Sequence, residues 1–312
     1  MSVKILFTVF TPTYNRKELL HRVYNSLQNQ TFSGFEWLVI DDGSTDGTED
    51  LIKFWQKKSP FSIIYHKQPN QGKHVAYNTA AKFAKGELFT AIDSDDEIIP
   101  TTLERLKFHW DNFTIQEKSY VAGISFNSND QFGNLVGTKF PKDYEVMDLM
   151  GMYYLNNVKG DKGGVVQTKV LYQYPFPENI KNVYVPESSF MFKVAKDWKM
   201  CFINESLRIY WLEKRQDSLS ILSTKAINYK GSLYAHECFL NYNMRFFFKK
   251  PKLCIGEAIR YSKLSFHLNV NLKNQFGQIT PISAKILWVC IMPLSFIFFQ
   301  MDKLKATRIK KQ

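Results

Sequence analysis

The sequence predicts an α/β protein: a mostly parallel sheet flanked by helices, followed by a helical extension at the C-terminal end. Three observations predict this. Over the first hundred residues, short apolar runs alternate with segments of helical period in the order β-α-β-α-β-α-β. The chain has 312 residues, 45% hydrophobic and 22% charged. That balance excludes a disordered, collagenous or disulfide-stapled protein and allows about two domains. The net charge of +12 is unevenly placed: residues 226–312 hold 14 Lys or Arg against Glu237, Glu257 and Asp302, and so carry 11 of the 12 charges. A near-neutral body, 1–225, therefore precedes a strongly basic region, 226–312.

The elements follow in order. Residues 3–9 read as the first strand. Asn15 with Glu18 three residues later matches a capping box, and Leu19, Leu20, Val23 and Leu27 recur as one buried helical stripe. Residues 36–40, apolar from Trp37 to Ile40, read as a second strand ending at Asp41. Asp46 with Glu49 repeats the cap pattern before a helix that carries Leu51, Ile52 and Trp55. Residues 62–66 read as a third strand, the Ala-rich 73–84 as a helix and 88–92 as a fourth strand. Pro100 stands where a helix tolerates proline in its first turn, with Leu103 and Leu106 on one face. The middle third is less regular, with short strands expected at 120–126 and 164–168. Beyond Lys225 the chain reads as helical, with Phe239, Tyr242 and Phe246 on apolar faces.

In a parallel sheet of this kind, ligands sit outside the carboxyl ends of the strands. Those ends are TPTYNR (11–16), DDGSTD (41–46) and DSDD (93–96). Singly, these are ordinary strand-to-helix turns, in which Asp46 caps a helix and Gly43 permits a bend. Asp93, Asp95 and Asp96 together are less ordinary. Three carboxylates within four residues repel one another unless a cation or buried donors offset them. An all-oxygen cluster suits Mg²⁺ or Mn²⁺, completed by water and phosphate. The six histidines fall in no metal-ligand spacing. Gly72-Lys73 lacks the upstream Gly and the following Ser or Thr of an NTPase phosphate loop.

The ordered set TPTYNR, DDGSTD, NQGK (70–73) and IDSDD (92–96) resembles the nucleotide-sugar half of the family 2 glycosyltransferases. These are inverting enzymes of GT-A (Rossmann-like) fold, many of them in bacterial cell-surface polysaccharide synthesis. Weaker likeness continues through YPFPE (174–178), VPE (185–187) and FINESLRIY (202–210). The resemblance implies a glycosyltransferase domain over 1–225, with a nucleotide-sugar half at 1–100 and an acceptor half at 101–225. It further implies metal-dependent transfer of a hexosyl or N-acetylhexosaminyl group. The donor would be a nucleotide-diphospho-sugar, UDP-linked, and the acceptor a glycan or a polyprenyl-diphosphate-linked glycan.

Residue by residue, the resemblance implies that Thr11, Pro12, Tyr14 and Arg16 line the nucleotide pocket, with Asp41 accepting from the base and Asp42 beside it. Asp93 and Asp95 are the Asp-x-Asp pair near the ribose and the Mn²⁺ or Mg²⁺, with Asp95 the more direct ligand. Lys73, at a helix start, faces phosphate. Glu187 stands in the place of the general base. Many relatives carry Glu-Asp there; here Ser188 follows, which leaves one candidate, with Glu178 a weaker rival. Asp161 and Lys162 edge the acceptor site.

Three other readings fit less well. A non-catalytic nucleotide-sugar-binding protein would not need both the Asp-x-Asp pair and Glu187. A sugar nucleotidyltransferase opens with a Gly-rich loop, and 11–16 contains no Gly. A nucleic-acid binder rests on charge alone, and the basic region carries no such motif. Residues 286–301 are uncharged; as a helix they span about 24 Å, short of the ~30 Å hydrocarbon core, and Pro293 interrupts them. Lys285 precedes this run, and Lys303, Lys305, Arg308, Lys310 and Lys311 follow it. The pattern predicts a segment lying on an anionic membrane surface. A core helix and a homo-oligomer contact are its competing readings. Four widely spaced cysteines and an N-terminus without signal-peptide features predict a cytoplasmic protein, peripheral on the inner face of the membrane.

Overall fold

The computed structural model describes residues 4–212 and 226–309. Residue 3, the expected boundary at residue 225, and Lys310 and Lys311 lie outside the described residues. The chain forms two compact units, one of Met1–Asn182 with Asp197–Arg215 and the other of Val183–Lys196 with Gln216–Gln312.

The first unit holds a mixed sheet flanked by helices. Its strands are β1 (Phe7–Thr13), β2 (Phe35–Asp41), β3 (Ser62–Lys67), β4 (Leu88–Ala91), β5 (Glu97–Ile98), β6 (Val121–Asp130), β7 (Glu145–Asp148), β8 (Gly163–Gln167) and β9 (Lys199–Tyr210). They lie in the order β3-β2-β1-β4-β8-β6-β9-β5, with β7 also on β9. The first four strands are all parallel, as the alternating pattern predicts, and are connected through α1 (Leu20–Gln28), α2 (Thr48–Gln56) and α3 (Lys73–Phe83). Beyond β4 the sheet turns mixed: β8 is antiparallel to both neighbours, and β6 with β9 is parallel. That half comes from the stretch of sequence lacking the strand–helix alternation that parallel crossovers need. Because β2 and β3 lie on one side of β1 and β4 on the other, the strand order reverses at the β1–β4 boundary.

The core of this unit packs aromatic residues of α1 and α2 onto β2. Trp37 is fully buried, and Tyr24 stacks on Trp55 with centroids 4.2 Å apart and planes 5° apart. Such rings bury large apolar areas and prefer offset or edge contacts. On the other flank, Gly123 of β6 admits the neighbouring strand closely; a Cβ there would lie 1.9 Å from the Val165 carbonyl oxygen.

Three expected helix starts differ from the structure. The cap position of α2 is Gly47, at φ 84°, and Asp46 stands one residue earlier, where its Oδ1 accepts from the Thr48 N–H and hydroxyl. Asn15 does not cap α1, whose cap position is Leu19. Asn15 takes a left-handed φ of 49°, receives the Thr45 N–H on its side-chain oxygen, and donates its own N–H to Ser44 Oγ. Cross-loop bonding outcompetes the local cap. Helix α4 (Thr102–Asp111) begins two residues beyond Pro100, with Thr101 at its cap.

The second unit is helical: α7 (Ser188–Asp197, whose last residue belongs to the first unit), α8 (Tyr229–Tyr242), α9 (Pro251–His267), α10 (Leu272–Gln278) and α11 (Ile282–Ile309); α5 (Leu149–Leu155) and α6 (Thr168–Gln173) belong to the first unit. Arg245 Nη2 donates to the Ala195 carbonyl at 2.8 Å, and Phe192 meets Phe239 edge-on. The Tyr261 hydroxyl donates to the Gln275 carbonyl, and Phe266 packs on Phe296 and Phe299. The apolar segment departs from the 16-residue, proline-broken expectation. Helix α11 runs unbroken through Pro293 for 28 residues, about 42 Å. Proline removes the N–H that would reach the Val289 carbonyl, one bond of a long ladder; two residues on, Ser295 Oγ donates to the Ile291 carbonyl. Residues 282–305 are long and apolar enough to cross a membrane, with mean hydropathy 2.0 and 22% of their most apolar window buried.

An ionic clamp ties α4 to β9. Arg105 donates from Nε and Nη2 to the two oxygens of Glu205, and His109 Nε2 lies 2.6 Å from the same carboxylate. The Arg105 bonds, with His109 adding to them, hold the Glu205 carboxyl down at about 2 against an ordinary 4.5. A depressed acid stabilises the fold fully above its unfolded value, and that contribution is lost as pH falls from about 4.5 through about 2. Glu205→Gln should therefore cost about 1 kcal/mol at pH 7, after allowing for solvent screening, and should flatten the loss of stability below pH 4.5. Urea titrations from pH 7 to pH 3 measure both effects.

Candidate active site

The carboxyl ends of β1, β2 and β4 converge where the strand order reverses. In register, Thr13 pairs with Asp41, and Phe10 with Ala91. The Ile92 and Asp42 N–H groups continue the pairing, donating to the Phe10 and Thr13 carbonyls. The three strand-end motifs are thus neighbours in space because parallel pairing brings their ends level.

After β4 the chain closes a tight turn, with Asp96 N–H donating to the Asp93 carbonyl at 3.0 Å. This turn holds three carboxylates, and each faces positive charge. Lys73 Nζ lies 2.6 Å from Asp93 Oδ1, and Arg16 Nη1 lies 2.8 Å from Asp95 Oδ2. Arg208 Nη1 is 3.8 Å from Asp96 Oδ2. Burial would raise the Asp93 carboxyl, but Lys73, with Arg208 and Arg16 further off, holds it below the ordinary range. Asp96 is the opposite case. It is nearly sealed, and burial, with Asp93 and Asp95 adding, pushes it up to about 7 despite Arg208. Its Oδ2 has no hydrogen-bond partner among the described residues.

Asp42 positions Lys73. Its Oδ1 accepts from Gln68 Nε2 and the Gln71 N–H, and its Oδ2 accepts from the Gly72 N–H at 2.8 Å. Four residues of sequence, NQGK, are stapled in this way to the end of β2. Gly72, at φ 103°, then turns the chain into α3, which starts at Lys73. Asp41 is fully buried; its Oδ1 accepts from the Ser44 N–H and its Oδ2 from the Tyr65 hydroxyl. Burial and that carboxylate push the Tyr65 phenol up, so it stays a donor.

The other expected pocket residues divide by which way they face. Tyr14 is half exposed, whereas the Thr11 hydroxyl is buried and accepts from Trp37 Nε1. Thr11 is sealed from the surface, and Pro12 is partly exposed on the alternate face. Asp161 is exposed and pairs with Arg208 Nη2. The Lys162 ammonium is turned inward, onto Asn127 Oδ1 at 2.8 Å and the Thr138 carbonyl at 2.5 Å, so it braces β6 against the loop after it. Burial lowers its pKa. Glu178 accepts from Asn78 Nδ2 at 3.1 Å, and the Asn78 amide also exchanges bonds with Phe176, pinning the YPFPE segment to α3. Glu187 lies in the second unit, where its carbonyl receives the Phe190 and Met191 N–H groups at the start of α7.

Two basic residues of the site were not singled out from sequence. Arg208, buried in β9, joins Ser128 Oγ, Asp161 and Asp96. Burial opposes its charge, but Asp161, Asp96 and Asp93 more than offset it. Arg22 of α1 donates to the Asp95 carbonyl and covers the Trp211 ring at 4.0 Å. The available signals were a lone Arg in an apolar strand end and an Arg on a helix face; neither names its partner. A cavity of about 420 Å³ beside Arg22 and Glu97 is lined by none of the motif residues at 11–16, 41–46 or 93–96.

Among the described residues, no group of three or more His, Cys, Asp or Glu side chains forms a ready metal cage. Asp93 and Asp95 offer hard oxygen donors two residues apart, beside the orphaned Asp96 oxygen. That donor set fits Mg²⁺ or Mn²⁺ completed by phosphate and water rather than a cage made by protein alone.

Residues 8–156 match the family model for glycosyl transferase family 2. The chain is 27% identical over 226 residues to GalNAc(5)-diNAcBac-PP-undecaprenol beta-1,3-glucosyltransferase of Campylobacter jejuni, covering 70% of this chain and 68% of that one. Among solved structures, S. aureus TarS 1-349 in complex with UDP-GlcNAc superposes with a TM-score of 0.61 at 18% identity, over 91% of this chain and 78% of that one. The mannosyltransferase PcManGT of Pyrobaculum calidifontis, in complex with GDP-Man and Mn²⁺, gives 0.52 at 16% identity, over 98% and 87%. At these identities the two structures show a shared GT-A-like fold.

Replacing Asp42 with Ala removes three acceptor bonds from the 68–72 segment. The variant should stay folded and lose about tenfold in nucleoside-diphosphate affinity, the equivalent of roughly 1.4 kcal/mol. Calorimetric titration with UDP measures it, and unchanged affinity would remove Asp42 from the positioning of Lys73.

Proposed function

We propose that the chain, whose residues 8–156 match the family model for glycosyl transferase family 2, is an inverting enzyme of that family moving a sugar from a UDP-linked donor to a glycan or polyprenyl-diphosphate-linked acceptor. The observation that carries this reading is the pairing of Arg16 and Lys73 with Asp95 and Asp93 at the reversal of strand order. One patch there would offer positive charge for a diphosphate and hard oxygens for Mg²⁺ or Mn²⁺. The Campylobacter relative, named for an undecaprenol-diphosphate acceptor, supports the acceptor class. The UDP-GlcNAc complex of TarS supports the donor class, with the GDP-Man complex of PcManGT as the competing nucleotide.

In this reading Tyr14 and Pro12 flank the nucleotide. The resemblance assigns Asp41 to the base; its carboxylate is buried and already accepts from Ser44 and Tyr65. Arg16 and Lys73 take diphosphate oxygens, where fixed cations and the first N–H groups of α3 both favour negative charge. The metal, when bound at Asp93 and Asp95, neutralises charge on the departing diphosphate. Glu187 takes the proton from the acceptor hydroxyl as its oxygen attacks the anomeric carbon. Arg208 holds Asp161 toward the acceptor, and Lys162 holds the adjoining loop.

Glu187→Gln keeps the side chain's size and removes its basicity. Transfer should fall by 10² to 10⁴ while UDP affinity stays within twofold. The assay is a panel of UDP-, GDP- and dTDP-sugars with Mn²⁺ or Mg²⁺, scored for donor hydrolysis and transfer. Surviving transfer would remove Glu187 as the base, and a GDP-sugar as sole substrate would replace UDP.

The same enzyme works at the inner face of the cell membrane. Ile282, Ile286, Val289, Ile297, Met301 and Leu304 are exposed and fall on one face of α11, with Lys285, Lys303 and Lys305 near its ends. Apolar area combined with basic flanks is the pattern that binds anionic bilayers. The full chain should pellet with vesicles, several-fold more with anionic than with neutral lipid at low salt. Equal pelleting without vesicles would point instead to self-association.

A further inference from the structure

We propose that Arg16 and Lys73 are resident counter-charges, exchanged from carboxylate to diphosphate when the donor arrives, so that metal and nucleotide bind with positive coupling. The inference rests on the donor and metal reading above and goes beyond it by assigning these two side chains a role in the order of binding. Both are mostly buried, with side-chain exposures of 16% and 17%, and each lies in direct contact with one member of the Asp-x-Asp pair. Their charge is already matched while the pocket holds no donor.

A divalent cation entering at Asp93 and Asp95 takes over both carboxylates. Without a diphosphate, it would then face two displaced cations a few ångströms away in a partly buried patch, where like charges interact strongly. The diphosphate gives Arg16 and Lys73 new oxygen partners and gives the metal its remaining ligands. Lys73 sits at the start of α3, where free N–H groups also favour the phosphates. Arg208 is not part of this exchange. Ser128 and Asp161 anchor two of its nitrogens, and it stays beside Asp96 as a fixed charge. Linkage makes the coupling reciprocal: the factor by which UDP tightens the metal is the factor by which the metal tightens UDP.

The consequence has an unusual sign. Removing either cation should make the metal alone bind more tightly, even as nucleotide binding weakens. Calorimetric titration of Mn²⁺ into the full chain, with and without saturating UDP, measures it for wild type, Arg16→Met and Lys73→Met. Circular dichroism checks the fold, and Lys73→Gln and Arg16→Gln stand in if a Met variant unfolds. Wild type should bind Mn²⁺ roughly tenfold more tightly with UDP, within the usual 5–150-fold span of coupled sites. Each variant should bind Mn²⁺ alone roughly three- to tenfold more tightly than wild type, with the UDP enhancement reduced. If the variants bind Mn²⁺ no more tightly while UDP still tightens it, the exchange is overturned and the metal site stands. If no protein binds Mn²⁺ even with UDP, the metal reading itself fails, and the exchange fails with it.

Discussion

Three aspartates in a four-residue turn cannot share one strand end unless positive charge is brought to them, and much of the first unit is arranged to bring it. Arg16 comes from the loop after β1, Lys73 from the first residue of α3 and Arg208 from β9. Each comes from a different part of the chain, and each depends on the sheet for its position. β1 lies beside β4, α3 is pinned to β2 through Asp42, and β9 lies two strands beyond β8. The turn after β4 is therefore a point where electrostatics and topology constrain each other.

The three acids do not share one environment. Asp93 and Asp95 are partly exposed and paired with Lys73 and Arg16. Asp96 is buried, pushed up by desolvation, and set against a guanidinium held by two other partners. The difference lies in exposure and partner, not in residue type. Loop-to-loop bonds order the neighbouring strand ends as well. The Asn15–Ser44–Thr45 clasp and the Asp42 staple bind segments that have little secondary structure of their own. A site built from such loops is rigid only because the strand ends beneath them are level.

The second unit is organised by apolar burial rather than charge. Its basic residues sit largely on surfaces, and its longest helix leaves one apolar face uncovered.

The sequence by itself determined the parallel half of the sheet, the strand-end motifs and the acidic cluster, because these depend on local periodicity and on residue types adjacent in the chain. It also located the charge: a near-neutral body and a basic extension. Its cap patterns were less decisive. Asn15 fits a local rule but is recruited by a loop 29 residues away, and no local rule anticipates that competition. Pro293 reads as a break, yet the helix runs through it, since the proline costs one bond in a 28-residue ladder. Only the tertiary structure decided which cation meets which carboxylate: Lys73 with Asp93, Arg16 with Asp95 and Arg208 with both Asp96 and Asp161. It also turned Lys162 and the Thr11 hydroxyl away from the pocket. The physical reason is range. Periodicity and turn chemistry act over a few residues, whereas these pairs join residues 20 to 112 apart in sequence, and only strand register sets their distance.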